Sequence, residues 1–245
     1  MPDDAAQARF QLHGMTSPNV RKIVLMLEEL EAPYETALVK VFRGEQFTSE
    51  FRTLNPLSKV PVLVDREAEG GPYPLFESGA ILIYLAELHG RFLPTGGPGR
   101  YETLKWLFAQ TSNVGPMLGQ LNHFMVAGEA EAPYAFARYK ALALRIYALL
   151  DERLAARPYL AGDDYSIADI ATYHWAGYVE RHPVDPAAYP HMQRWRAAIA
   201  ERPAALREVA VRDSFVYEPA DSLAAATPEA MDRFWWRDGA KAPPS

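Results

Sequence analysis

The sequence contains no cysteine among its 245 residues, which excludes disulfides, thiolate metal sites and a nucleophilic thiol supplied by the protein. The histidines lack metal-ligand spacing such as H-E-x-x-H, so no metal is expected. No apolar run approaches the roughly 18 residues of a membrane span, and the opening MPDDAAQARF is acidic rather than signal-like. The formal net charge of −6 argues against a nucleic-acid surface. We expect a cytoplasmic globular protein that binds neither nucleic acid nor membrane.

The first third of the chain predicts a small α/β layer. A helix is indicated by SPNVRKIVLMLEEL, in which Ser17 is the cap and Pro18 lies in the first turn. A second helix follows LFESGAIL. Alternating or hairpin-like patterns predict strands over 8–13, 34–41, 59–65 and 73–76. The predicted order is β-α-β, an irregular or helical connection, and then β-β-α.

The rest of the chain predicts helices only. A Pro/Gly-rich break, LPTGGPGR, separates the two parts. In YSIAD, Asp169 is expected to reach back to Ser166 in a structural capping box. The tail, with FWW at 234–236, is expected to be irregular, and either packed through its aromatics or partly mobile. The predicted helices cover 101–127, 133–156, 166–180, 188–201 and 203–211, and the predicted units are 8–90, 100–212 and the tail 213–245.

Within the long helical stretch, polar and aromatic residues recur at three- and four-residue spacing. Pro116 is expected to kink this stretch. The face is mixed enough to line a cleft, although packing in the core or at a dimer interface is the better interpretation for Trp106. Its members are Trp106, Gln110, Asn113, Met117, Gln120 and Phe124.

Glu77 and Ser78 stand together where an apolar helix begins. Helix capping alone explains Ser78, since helix N-termini favour hydroxyls and attract anions. It does not explain the adjacent carboxylate. A ligand that carries both a carboxylate and an ammonium group explains the pair.

Over nearly its whole length the chain resembles the cytosolic glutathione transferases, and most closely their Nu class, the bacterial group related to the yeast prion-type member. The phrases that carry the resemblance include SPNVRKIVLMLEEL, FRTLNPLSKVPVLVD, LFESGAILIYLAE, WLFAQTSNVGPMLGQ and YPHMQRWRAAIAERPA. The resemblance implies a thioredoxin-like domain followed by an all-helical domain. It also implies glutathione as substrate or co-substrate and a two-fold homodimer.

The resemblance assigns binding roles to several residues. It implies a cis Val60–Pro61 bond, with the backbone of Val60 pairing with the glutathione peptide as an added strand would. Glu77 and Ser78 would hold the γ-glutamyl end. Lys59 would hold the glycyl carboxylate, assisted by Gln46, although a solvated lysine on a loop is the alternative. Arg138 matches an arginine that reaches glutathione, although a solvated role for it is an equal alternative.

The chemistry requires a glutathione thiolate, because the protein has no thiol of its own. At the start of the first helix, TSPN offers hydroxyl, amide and backbone donors to the sulfur. Ser17 and Asn19 match the Thr-Pro-Asn positions of the resembled class and are the predicted catalytic residues. Thr16 is a neighbouring rival, and an ordinary Ser-Pro cap is the alternative for Ser17.

The resemblance implies a glutathione-dependent disulfide-bond reductase with some peroxidase activity. Conjugation or ether cleavage of an aromatic electrophile is the alternative reaction. A non-catalytic glutathione-fold binding module is the alternative outside enzymes.

Overall fold

The computed structural model describes residues 7–214 and 225–236. Within these residues the strands all lie before residue 77 and the later elements are helical. The strands are Phe10–Gly14 (β1), Tyr34–Leu38 (β2), Val62–Asp65 (β3) and Tyr73–Phe76 (β4). The helices are Pro18–Leu30 (α1), Ser49–Leu54 (α2), Ser78–His89 (α3), Gly97–Ala109 (α4), Gly115–Ala127 (α5), Pro133–Ala155 (α6), Ile167–Ala176 (α7), Pro190–Ala200 (α8), Pro203–Ser214 (α9) and Pro228–Phe234 (α10).

The sheet has the strand order β2-β1-β3-β4. β1 runs parallel to β2, with Phe10 opposite Tyr34, and antiparallel to β3. β3 and β4 form an antiparallel hairpin. Two 3-10 turns, Val41–Arg43 and Glu45–Phe47, and the short helix α2 supply the connection between β2 and β3. This arrangement confirms the predicted order of elements and the thioredoxin-like α/β layer.

Helix α1 begins as the sequence predicts. Ser17 caps it with extended backbone, and its hydroxyl accepts a bond from Val20 N at 3.4 Å. Two arginine–carboxylate pairs then fix the helix against α9 and the residue before it. Arg21 in the first turn of α1 meets Glu208 through two bonds of 2.7 and 2.8 Å, and Arg202 meets Glu29 in the last turn in the same two-pronged manner. Both ends of α1 are therefore held by the helical half of the molecule.

The long helix predicted over 101–127 is two helices. A π-helical turn, Gln110–Val114, separates α4 from α5 directly before Pro116. Proline has no N–H to donate to the carbonyl four residues earlier, so the regular ladder is interrupted there. The change of helix type lies where the sequence predicts a kink, and the kink itself stays a prediction.

Both reciprocal hydrogen bonds of the capping box are present. Ser166 accepts from Ala168 N at 3.3 Å, and the Asp169 carboxylate accepts from Ser166 N at 3.0 Å. Asp169 also accepts from Leu160 N and from the Trp195 indole, each at 2.9 Å. These bonds lie among fully buried side chains, so the predicted structural role is confirmed.

One continuous apolar core joins the two halves. It extends from β1 and α1, through α3, to α7 and α8. No helix of the described part of the chain is long and apolar enough to cross a membrane.

The expectation of an irregular tail is wrong for Pro228–Phe234, which form α10 under a cap by Thr227. The aromatics at 234–236 pack against other parts of the protein, so the first of the two expectations for them is confirmed. The rest of the tail, 215–224 and 237–245, lies outside the described ranges.

Candidate active site

A cavity of about 540 Å³ lies where the start of α1, the start of α3 and the bend between α4 and α5 meet. Side chains from both halves of the protein and from the tail enclose it. The lining residues are Asn19, Lys22, Lys59, Glu77, Ser78, Gln110, Thr111, Gly115, Pro116, Gly119, Gln120, His123, Trp175, Phe234, Trp235 and Trp236.

The orientation of the Asn19 side chain is fixed by Trp175. The indole Nε1 of Trp175 lies 2.9 Å from Asn19 Oδ1. An indole nitrogen only donates, so it must face the amide oxygen. The amide NH₂ of Asn19 is left as a donor at the cavity wall. This geometry suits stabilisation of an anion at the first turn of α1.

The structure separates the neighbours Thr16 and Ser17. Thr16 lines a different cavity, beside Arg21, Tyr173 and Tyr178. Ser17 is the helix cap, and its oxygen is engaged by Val20 N while its hydroxyl proton is still available to donate. Ser17 is not among the described residues that line the candidate cavity, so its catalytic role stays a prediction.

Glu77 and Ser78 both line the cavity, and their binding of glutathione stays a prediction. Glu77 occupies the cap position of α3 with φ 65°, a backbone conformation that is uncommon for any residue except glycine. Ser78 is the first helical residue and is buried. The left-handed turn places an exposed carboxylate next to the free N–H groups of a helix start, so the pair can meet an ammonium and a carboxylate together.

Lys59 reaches the same cavity from the loop before β3. The buried Asn55 organises this loop, since its amide donates to Lys59 O at 2.7 Å and its oxygen accepts from Leu57 N at 2.9 Å. The following Val60–Pro61 bond is cis, as expected. Val60 lies two residues before the first paired residue of β3, Val62.

Gln46 and Arg138 are not among the described lining residues. Gln46 is buried on the second 3-10 turn, and its Oε1 has no hydrogen-bond partner. A buried acceptor without a partner is uncommon and is suited to a ligand donor. Arg138 lies on the exposed side of α6. Their assignments to glutathione stay predictions.

Lys22 was not predicted from the sequence as a site residue. This lysine is 1% exposed on α1, yet it lines the cavity. Its ammonium donates to Gln110 Oε1 at 2.8 Å. Burial lowers the pKa of Lys22 to about 7, partly opposed by the Glu77 carboxylate. Within SPNVRKIVLMLEEL the only signal was its position three residues after Asn19, on the same face of the helix.

The residues of the predicted polar face on α4 and α5 lie in different environments. Gln110 and Gln120 line the cavity, whereas Trp106 and Met117 pack against the core and Asn113 is exposed. Packing is therefore confirmed as the role of Trp106, whose indole donates to Glu102. Phe124 stacks on Tyr139.

Three consecutive aromatics of the tail cover the cavity. Trp235 packs on His123 of α5 with ring centres 4.6 Å apart. Phe234 contacts Phe42, and Trp236 contacts Phe47, at 4.8 and 5.9 Å between ring centres. This aromatic roof, residues 234–236, spans from the α/β layer to the helical half.

The mixed four-stranded sheet, the cis-proline loop and the helical wall define a thioredoxin-like layer joined to an all-helical domain, with the cavity between them. The family model for the glutathione S-transferase N-terminal domain matches residues 16–88, and that for the C-terminal domain matches residues 102–203. The chain therefore belongs to the glutathione S-transferase family of glutathione-dependent enzymes, and the predicted fold class is confirmed.

Relatives with names and bound ligands support this assignment. The disulfide-bond oxidoreductase YfcG of Escherichia coli is 45% identical over 195 residues, which are 79% of this chain and 91% of YfcG. A Burkholderia graminis glutathione transferase with two glutathione molecules per subunit is 41% identical at TM-score 0.76, over 82% of this chain and 88% of that one. A Pseudomonas putida glutathione transferase with one glutathione disulfide per subunit is 36% identical at TM-score 0.77, over 85% and 93%.

Among the described residues, no three histidine or carboxylate side chains are grouped so that they could hold a metal ion.

Proposed function

We propose that this protein is a glutathione-dependent disulfide-bond reductase. The observation that carries the proposal is the meeting of Asn19, Lys59, Glu77 and Ser78 at one cavity. Glutathione has one ammonium and two carboxylates separated by a peptide. The cavity offers one carboxylate, one helix start and one exposed lysine to these three groups. The relatives named as disulfide-bond oxidoreductases support the reaction type.

The γ-glutamyl end of glutathione lies at the start of α3. Its carboxylate accepts from Ser78 and the N–H groups of that helix start, and its ammonium pairs with Glu77. The peptide pairs with the backbone of Val60. The glycyl carboxylate pairs with Lys59, and Gln46 offers its unpartnered Oε1 to a donor of the ligand. Arg138 is a further predicted contact.

The sulfur then lies at the first turn of α1, where the Asn19 amide and the Ser17 hydroxyl donate to the thiolate. The thiolate attacks one sulfur of a disulfide substrate, the S–S bond breaks, and a mixed disulfide with glutathione forms. A second glutathione thiolate attacks the glutathione sulfur of that intermediate and releases the reduced substrate with glutathione disulfide. Both electrons come from glutathione, because the chain has no cysteine. Bound pairs of glutathione, or its disulfide, in relatives support this sequence.

The same thiolate can reduce a peroxide, and we assign this as a minor activity. The aromatic roof favours a second candidate reaction, conjugation or ether cleavage of an aromatic electrophile, because flat rings can stack on Trp235 and Trp236.

We also assign the protein a cytoplasmic location and a two-fold homodimer. Large apolar side chains are exposed on β4, α3 and α4, namely Tyr73, Leu88, Tyr101 and Phe108. Such a surface suits contact between α3 of one protomer and the long helices of its partner. Sedimentation should give about twice the 27.4 kDa of one chain, and a mass of one chain at micromolar concentration would refute the dimer.

The test of function is retention on immobilised glutathione followed by turnover of a small aliphatic disulfide with glutathione as reductant. We expect both retention and formation of glutathione disulfide. Turnover of an aromatic electrophile alone would favour conjugation. Retention without turnover of a disulfide, a peroxide or an electrophile would identify a binding module instead.

A further inference from the structure

Lys22 combines burial with access to the cavity. Its side chain is among the largest fully buried ones in the described structure, and it nevertheless lines the candidate active site. A lysine ammonium has three donors, and the structure supplies one acceptor, Gln110 Oε1 at 2.8 Å. In the described part of the chain no carboxylate lies within ion-pair distance of Lys22.

Gln110 and Gly115 hold the lysine nitrogen in place. Gln110 is itself 1% exposed, so its amide has little freedom to move. A Cβ added to Gly115 would lie 2.8 Å from Gln110 Nε2, which means that glycine makes room for this amide. The π-helical turn that carries Gln110 therefore orients Oε1 toward α1.

The charges around Lys22 come from each element that packs against it. The carboxylate of Glu77, at the start of α3, favours the ammonium form, but burial outweighs it, and the pKa is about 7. On α7, His174 has its pKa lowered mainly by burial, with smaller effects of Arg21 and Lys22. On α9, the Glu208 carboxylate is engaged by Arg21. Lys59 and His123 line the same cavity. A solvated lysine would be protonated almost completely at pH 7, whereas burial makes the amine form of Lys22 accessible near neutral pH.

Asn19 and Lys22 are three residues apart and share one face of α1. Both residues line the cavity, so a glutathione sulfur held by the Asn19 amide would lie on the face of α1 that carries Lys22. Ionisation of that sulfur adds a negative charge to a partly buried site, which costs free energy unless a positive charge appears with it.

We propose that Lys22 keeps the proton that bound glutathione loses. The S–H bond of glutathione breaks, an N–H bond forms on the Lys22 amine, and a thiolate–ammonium pair replaces a thiol and an amine with no change of net charge. Gln110 positions the nitrogen that receives the proton. The inference rests on the proposed function, because it requires glutathione in this cavity.

Two measurements test the inference. Ultraviolet absorbance reports the thiolate of bound glutathione, and calorimetry in buffers of different ionisation enthalpy counts the protons released on binding. Both are made near pH 8, about one unit above the pKa of Lys22 and about half a unit below that of a free thiol. In the native protein we expect a thiolate signal with almost no release of protons to the buffer.

Variants give opposite expected results. Arginine stays protonated, so Lys22→Arg should form the thiolate and release about three quarters of a proton to the buffer, since about a quarter of free thiol is already ionised at pH 8. Lys22→Met has no basic group, and the thiolate pKa should rise by about one unit or more. Lys105→Gln, on the exposed side of α4, is the matched control and should behave as the native protein.

The inference is overturned if the native protein releases about three quarters of a proton as the thiolate forms, or if Lys22→Met leaves the thiolate pKa unchanged. The first of these needs no variant, so a misfolded Lys22→Arg protein does not prevent the decision. Failure of the native protein to bind glutathione would overturn the proposed function, and the inference with it. Binding with a wrong proton count would overturn the inference alone.

Discussion

The indole N–H of Trp175 points at the amide oxygen of Asn19 across 2.9 Å. The bond joins α7 of the helical half to the first turn of α1, and it determines which side of the asparagine amide faces the cavity. The amide is thereby preorganised as a donor before any ligand enters, which is the arrangement that stabilises a developing anion most effectively.

Trp175→Phe should therefore lower kcat/KM for a disulfide substrate by about tenfold, while glutathione affinity changes little. The phenyl ring preserves most of the packing but leaves the amide free to rotate. Steady-state kinetics and titration calorimetry separate the two effects. The matched control is Trp106→Phe, since the Trp106 indole donates to Glu102 outside the cavity. Equal losses in both variants would mean that packing, and not the bond to Asn19, is responsible.

Asn19→Ala should reduce kcat/KM for a small disulfide about tenfold to a thousandfold, as loss of an oxyanion-type donor does. Ser17→Ala should cost less, because a backbone N–H can substitute. Thr16→Ala should have the smallest effect, since Thr16 lines the other cavity. The three variants are compared at saturating glutathione and equal thermal stability. If Thr16→Ala abolishes activity and Ser17→Ala does not, the hydroxyl that donates to the thiolate belongs to Thr16 and not to Ser17.

Glu77→Gln should weaken glutathione binding about tenfold or more, which corresponds to about 1.4 kcal/mol. The ammonium of the γ-glutamyl end loses its counter-charge while the side chain keeps its shape. Isothermal titration of the folded variant measures the affinity. Glu69→Gln, in the exposed turn between β3 and β4, serves as the control. Unchanged affinity for glutathione in the Glu77 variant would refute this pairing.

Asp169→Ala should lower the free energy of unfolding by more than about 2 kcal/mol. The substitution leaves Leu160 N, Ser166 N and the Trp195 indole without their buried acceptor. Urea unfolding compared with Asp164→Ala, an exposed neighbour, measures the difference. A loss no larger than that of the control would contradict the structural role of the capping box.

The free energy of unfolding of ligand-free protein should rise as pH increases from about 7 toward 9. The pKa of Lys22 is lowered to about 7 in the folded protein, so between pH 7 and 9 the unfolded chain binds more protons than the folded one. A rise in pH therefore destabilises the unfolded state relative to the folded state. The slope from this group is at most about 1.4 kcal/mol per pH unit. Lys22→Met should lack that contribution. Parallel pH profiles for the two proteins would contradict the shifted pKa.

The elements of the fold could be predicted because their signals are local. The cap at Ser17, the box at Ser166 and Asp169, and the alternation in the strands each act within a few residues. The ligand-facing pair Glu77 and Ser78 was also visible, because a carboxylate at the start of an apolar helix is locally unexplained.

The remainder of the site depends on contacts distant in sequence. In the sequence, Lys22 cannot be distinguished from the other polar residues of an amphipathic helix. Its environment is set by the hydrogen bond to Gln110, 88 positions later. Trp175 reads as an ordinary core residue. The left-handed backbone of Glu77 has no sequence signal, since a glutamate gives no indication of positive φ. No local pattern could have placed residues 234–236 over a cavity built from the start of the chain.

The aromatic roof lies beyond residue 203, where the matched C-terminal family model ends. The residues proposed to activate sulfur lie within the matched N-terminal model, residues 16–88, whereas the aromatic roof lies outside both matched ranges. Substitutions at 234–236 would therefore change the cavity wall without replacing any residue of the first turn of α1. The tail is thus a practical region in which to engineer the range of second substrates.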